Sequence, residues 1–249
     1  MCKKRLVVNP SCERFQTLLN DLPVAFDKSS SSIHKARNEL KVVDYQNESL
    51  VLKSFKVPNL IRRCIYTFFR PSKAEKSYRN SLLLKNFTPL PVAFVEYFES
   101  GLLANSYFVS ERYSYDFTIR EPLLDMSFPD RDEVLRAFAR FSLELHDAGF
   151  FHKDYSPGNI LIKGNSTEEY QFKIVDVNRM QQLTLDSEMR ARGFEKLWAL
   201  DSDLDIIASE YEQHTDLPKG FAERVKHYSN KNKRFKNFKK RLKGKPVND

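Results

Sequence analysis

Three residues with chemical potential, His152, Asp154 and Asn159, fall in one run, Phe151-His152-Lys153-Asp154-Tyr155-Ser156-Pro157-Gly158-Asn159, which leads straight into Ile160-Leu161-Ile162. The spacing H-x-D-x-x-x-x-N places a carboxylate and an amide in a single loop, and the apolar run behind them is a strand that pins it. A second short apolar stretch, Phe172-Lys173-Ile174-Val175, ends on another carboxylate, Asp176. This set suits phosphoryl transfer to a hydroxyl. One carboxylate faces the attacking hydroxyl, while an amide oxygen and a second carboxylate hold Mg²⁺ beside a triphosphate. The plainer alternative is a polar turn between core strands, its His and Asn satisfied by backbone groups.

The loop needs elements to position it. Asp130-Arg131-Asp132-Glu133 reads as a helix start with a carboxylate three residues on. Val134, Phe138, Phe141 and Leu145 then recur at helical spacing until Gly149. That helix serves the core and delivers the chain into the loop, with His146 expected as a surface or capping residue of its last turn. Residues 21–57 read as three strands: Leu22 to Phe26, Ile33 to Val43, and Ser49 to Lys56. Between the first two lies a serine turn, Ser29 to Ser32, which reads either as a phosphate-covering donor set or as a surface turn. Pro58 to Arg70 is a short helix or an extended link. Ser72 to Leu84 is a helix whose Ser72-x-x-Glu75 is a capping box. Pro91 to Phe98 and Leu102 to Tyr113 form a hairpin around Ser100-Gly101.

Composition narrows the classes. At 249 residues with 41% hydrophobic and 13% aromatic content, the chain can bury a substantial core. It has no apolar run near the roughly 20 residues that span a bilayer. The N-terminal Leu6-Val7-Val8 is too short for a signal-peptide core. Cys2, Cys12 and Cys64 lack metal-ligand spacing and suit a reducing compartment, so a cytoplasmic protein is expected. The net charge of +8 is concentrated at the C-terminus, where residues 219–245 carry twelve Lys or Arg against one acid, Glu223. There Phe221, Val225, Tyr228, Phe235, Phe238 and Leu242 recur at mostly helical steps. The pattern fits either an anionic membrane surface or a last core helix with a solvated basic end. No recognition fold for a specific nucleic acid accompanies it. Asp201, Asp203, Asp205 and Glu212 have calcium-loop spacing, but Ile206 stands where that loop turns on glycine, so this is an acidic helix start.

The catalytic-loop run and Asp176 resemble the protein-kinase-like phosphotransferases. Lys53 ending the triplet Leu50-Val51-Leu52, the Ser72-Lys73-Ala74-Glu75 helix start, Thr88-Pro89-Leu90-Pro91 and Asp176-Val177-Asn178-Arg179 extend the likeness over roughly residues 20–215. Together they resemble the bacterial lipopolysaccharide core kinases that act on Kdo and heptose. The resemblance implies an α+β, bilobal protein-kinase-like fold with a small β-rich N-lobe over 1–110, a mainly helical C-lobe over 111–220 and a basic helix or tail over 221–249. It implies ATP and Mg²⁺ as cofactors, with Asp154 as catalytic base and His152 bracing its loop. Asn159 and Asp176 become the metal ligands. Lys53 is expected on the α/β-phosphates, with Glu75 either pairing with Lys53 or only capping its helix. Residues 108–113, Glu111 and Tyr113 among them, become the adenine hinge. The implied acceptor is lipopolysaccharide core or a lipid-linked sugar at the cytoplasmic face of the inner membrane, with the enzyme peripheral on it. Two departures stand out: no glycine precedes Gly101, so the Gly-rich loop is missing, and Val177-Asn178 replaces Phe-Gly after the metal-binding Asp. Arg179 is read as a phosphate or sugar-acid contact or as a salt-bridge partner. A protein or small-metabolite kinase, or a non-catalytic nucleotide-binding pseudokinase, is the alternative reading.

Overall fold

The computed structural model describes residues 3–29, 32–35, 38–164 and 169–246. Residues 1–113 together with 176–178 form one compact unit, and 114–175 with 179–249 form the other. The first is built on a six-stranded antiparallel sheet in the order β1-β5-β6-β4-β3-β2. Its strands are β1 (Lys3–Val8), β2 (Ser32–Lys35), β3 (Glu39–Tyr45), β4 (Glu48–Phe55), β5 (Pro91–Glu99) and β6 (Leu102–Glu111). The N-terminal segment is thus an edge strand, with Arg5 opposite Glu96 on β5. Of the serine turn, Ser30 and Ser31 lie outside the described residues, as does Cys2; Ser29 donates its hydroxyl to the Val42 carbonyl at 2.6 Å.

Strand alternation divides the side chains between two faces. Leu50, Leu52, Val92, Val95 and Val109 pack on one face against Cys12, Phe15, Leu19, Leu22 and Phe26. Those last residues come from a 3-10 turn (Pro10–Phe15) and two short helices, α1 (Gln16–Asn20) and α2 (Leu22–Lys28). Here the structure corrects the expected strand over Leu22 to Phe26. Pro23 sits in the first turn of α2, and Leu22 and Phe26, four apart, are buried while Val24 is 51% exposed. A strand would have put all three on one face; a helix buries only the i, i+4 pair. On the other face Phe55 and Phe94 meet Ala74 and Tyr78 of helix α4 (Lys73–Leu84), whose N-cap Ser72 accepts the Glu75 amide at 3.1 Å. Between β4 and α4 lies α3 (Leu60–Phe68).

The second unit is mainly helical. A small sheet joins β7 (Phe117–Thr118), β9 (Ile160–Lys163) and β10 (Gln171–Ile174), and β8 (Phe150–His152) pairs with β11 (Met180–Gln182). The helices are α5 (Arg120–Leu124), α6 (Arg131–Asp147), α7 (Ser187–Gly193), α8 (Asp201–Gln213) and α9 (Phe221–Arg241). Val134, Phe138, Phe141 and Leu145 of α6 are all buried, as their spacing predicts. The expected box at its start does not form, because Asp130 is left-handed at φ 51° and its side chain makes no cap. His146 is also corrected from surface to core. Only 2% exposed, it accepts the Tyr211 hydroxyl at Nδ1 over 2.9 Å while Arg190 donates to the same oxygen at 3.0 Å. Burial, reinforced by Arg190, pushes its pKa down to about 3, so the ring is neutral. Asp203, fully buried, is committed to Arg131 at 2.6 Å, and Asp205 to Lys226 at the same distance.

Candidate active site

The loop after β8 is tied down from every side. Tyr155, 2% exposed, stacks on Phe138 at 5.6 Å and shares a 3.0 Å hydrogen bond with Ser142, both on α6. Burial raises its pKa, so the phenol stays neutral. The Asp154 amide donates to His152 Nδ1 at 3.0 Å, which leaves the proton on Nε2 to be donated to the Val175 carbonyl at 3.2 Å. His152 therefore links the loop to Val175, the residue that follows β10. The Asn159 amide nitrogen donates to the Asp154 carbonyl at 2.9 Å and to the Ser156 hydroxyl at 3.1 Å. Its Oδ1 is turned away from those bonds, and its backbone carbonyl accepts from Val175 at 2.9 Å.

The Asp154 carboxylate, 37% exposed, faces two cations: Lys196 Nζ at 3.6 Å and Arg179 at 3.7 Å. Lys196 also donates to the Lys153 carbonyl. Sequence reasoning offered a salt bridge as one reading of Arg179, but it missed Lys196. That residue lies 42 positions from Asp154 in a 3-10 turn (Phe194–Lys196), with no local pattern to mark it. Asp154 and Lys196 line a cavity of about 330 Å³ together with Arg120, Ser156, Trp198 and Lys236. Three cations and one carboxylate line it, and neither the Arg120 guanidinium nor the Lys236 ammonium meets a carboxylate within 4 Å among the described residues. Gly158 makes room for this arrangement: a Cβ on it would stand 2.7 Å from Arg120 Nη2. The indole of Trp198 is 40% exposed, with the Lys240 ammonium 5.8 Å from its ring centre.

The sheet unit holds the other candidates. Lys53 and Phe55, two apart on β4, share the face toward α4, and Lys53 Nζ meets Asp176 at 2.7 Å. Asp176 has a left-handed backbone, φ 57°, and accepts from the Asn178 side chain. Lys53 is not joined to Glu75. The Glu75 carboxylate instead takes Arg5 from β1 at 3.0 Å and Arg79 one turn along α4. The register places Arg5 opposite Glu96, which it meets at 3.1 Å, so two buried carboxylates share one guanidinium. Burial pushes the Glu96 pKa up despite Ser72 and Arg5. Glu75 therefore gives its backbone amide to the Ser72 cap, and its carboxylate forms an edge-strand clamp with Arg5 rather than closing the expected box or pairing with Lys53. Glu111 gives its amide to Leu90 at 3.0 Å and faces Arg14 at 3.5 Å, so β6 runs regularly into the segment holding Tyr113.

No protein-family model matches the chain. No curated protein matches it in sequence. Among solved structures it is similar to WaaP in complex with acyl carrier protein, with a TM-score of 0.60 over 92% of this chain and 98% of that one at 14% identity. A kinase domain of Mycobacterium tuberculosis PknI aligns at a TM-score of 0.42 over 81% of this chain, also at 14% identity. The fold is α+β and protein-kinase-like.

Proposed function

We propose that the chain is an ATP-dependent phosphotransferase whose acceptor is a sugar hydroxyl of lipopolysaccharide core or a related lipid-linked saccharide, Kdo or heptose. The observation that carries this reading is the cavity at Asp154, with its Arg120, Lys196 and Lys236 cations and its open indole. Such a lining suits a compact, hydroxyl-rich, anionic acceptor better than an extended peptide. Asp154 orients the acceptor hydroxyl and takes its proton. Lys196 and Arg179 hold the carboxylate in place, and Lys196 offsets charge that develops as the phosphoryl group moves. His152 fixes the loop through its two ring nitrogens.

The Asp176 carboxylate and Asn159 Oδ1 are hard oxygen donors of the kind Mg²⁺ takes, and they would hold it. Bound Mg²⁺ would supply charge neutralisation for the phosphates. Lys53 is proposed to contact the α/β oxygens, and its pairing with Asp176 keeps both groups oriented. The segment with Glu111 and Tyr113 is the proposed adenine contact. The exposed end of α9, Phe235, Phe238 and Leu242 among lysines, is proposed to meet an anionic membrane surface from the cytoplasmic side.

Purified protein incubated with labelled ATP, Mg²⁺ and delipidated core sugars tests the reading. Label should pass to the sugar, and Asp154→Ala should fold normally yet lose at least about a thousandfold in kcat. Label passing to protein substrates alone would replace the acceptor. ATP-dependent thermal stabilisation without transfer to any acceptor would make the chain a pseudokinase.

A further inference from the structure

Helix α3 is amphipathic the wrong way round for a helix that lies on a sheet. Two of its polar residues, Arg63 and Thr67, face the protein. Arg63 donates to the carbonyls of Leu103 at 2.7 Å, Glu99 at 3.3 Å and Leu102 at 3.4 Å. Thr67, one turn on, accepts the Leu103 amide at 2.9 Å. Pairing of β4 with β6 reaches only to Ser106, so these two side chains close the stretch of β6 edge that β4 leaves open. At 100° per residue, Ile61, Ile65 and Phe68 lie on the side opposite Arg63 and Thr67, with Ile65 half-buried there. Leu60, Ile61, Phe68 and Phe69 are 65–80% exposed, and none of the nine helix residues is buried. No acid occurs between Glu48 and Glu75, whereas Lys56, Arg62 and Arg70 are exposed around the apolar face.

We infer that α3 is a membrane-docking helix, its apolar face entering the acyl boundary of an anionic bilayer while Lys56, Arg62 and Arg70 sit among the headgroups. Protruding aliphatic and aromatic side chains with exposed cations beside them, in a segment that carries no acid of its own, match an interfacial helix. The cations select a negatively charged lipid surface over a neutral one. The contact is distinct from α9 and supplies the second attachment that stable peripheral binding requires. It rests on the membrane-associated reading given above, but binding is measured without ATP or acceptor, so its failure leaves phosphoryl transfer untouched.

The full chain is co-sedimented with vesicles of phosphatidylglycerol and phosphatidylethanolamine, and with pure phosphatidylcholine. It should bind the first and not the second. Ile61→Glu with Phe68→Glu should weaken binding about tenfold or more, while circular dichroism stays unchanged because both side chains are exposed. Phe68→Trp in a Trp198→Phe background should show a blue-shifted emission on the anionic vesicles and quenching by brominated lipid. Unchanged binding of the double variant, with loss only on neutralising the α9 lysines, would overturn the inference. So would self-association through this face, read as a mass by light scattering that falls to the monomer in the double variant while vesicle binding persists.

Discussion

Lys196 carries more of the proposed chemistry than its place in the sequence suggests. Its ammonium spans the Lys153 carbonyl and the Asp154 carboxylate, so it fixes the loop and biases the charge at once. Lys196→Met should lower kcat about a hundredfold with acceptor KM little changed, and Lys196→Arg should restore part of the loss. Steady-state kinetics with varied acceptor separates the two constants. Arg120 and Lys236 predict the opposite split. On the proposed acceptor site, replacing either with Met should raise acceptor KM about tenfold and leave kcat near wild type, since each lines the cavity without pairing with Asp154. Gly158→Ala should do the same, because its new methyl pushes the mobile end of Arg120 aside. The loop and strand of the candidate run were legible because Asp154, Asn159 and the strand behind them are local. Lys196, Arg120, Trp198 and Lys236 were not, because only tertiary folding brings them to Asp154.

At the scale of elements, the structure repeatedly settles choices that local pattern leaves open. Leu22 to Phe26 has strand composition, yet the sheet already has its strands and needs a cover, so the segment folds into the helix that buries Leu22 and Phe26. Ser72 with Glu75 is a sound cap reading, but the destination of the Glu75 carboxylate depends on β1, whose pairing with β5 no local window reveals. Arg5→Met should therefore cost about 1–2 kcal/mol, because Arg79 still holds Glu75 and only the buried Glu96 loses its cation. Urea unfolding measures it. In the second unit the packing of α6, α7 and α8 closes on His146: a Cβ on Gly193 would come within 2.9 Å of its Nε2. Gly193→Ala should lose about 1–3 kcal/mol through overpacking.

For the whole molecule, His146 gives stability a pH dependence with a definite sign. The folded ring titrates near pH 3 and the unfolded one near 6.5. Below 6.5 the unfolded chain binds a proton that the folded chain refuses, so stability falls as pH drops, until the folded ring itself titrates. Between pH 7 and 5 the loss is roughly 2 kcal/mol. The part due to His146 should vanish from chemical denaturation of a His146→Gln variant compared with wild type at both pH values. No described helix is long and apolar enough to cross a membrane. The excess basic charge seen in sequence resolves into an α9 whose first half, Phe221, Val225 and Ser229, is core and whose second half is exposed.

Residues 176–178 belong with the sheet although the chain on either side of them does not. A polypeptide stopped at Tyr113 would keep Lys53, 8% exposed, and lose the carboxylate 2.7 Å from it. An ammonium stranded in that way is costly, so the two halves are not excisable modules. The N-terminal fragment made alone should be insoluble or partly unfolded, and co-expressing the remainder as a separate chain should rescue it.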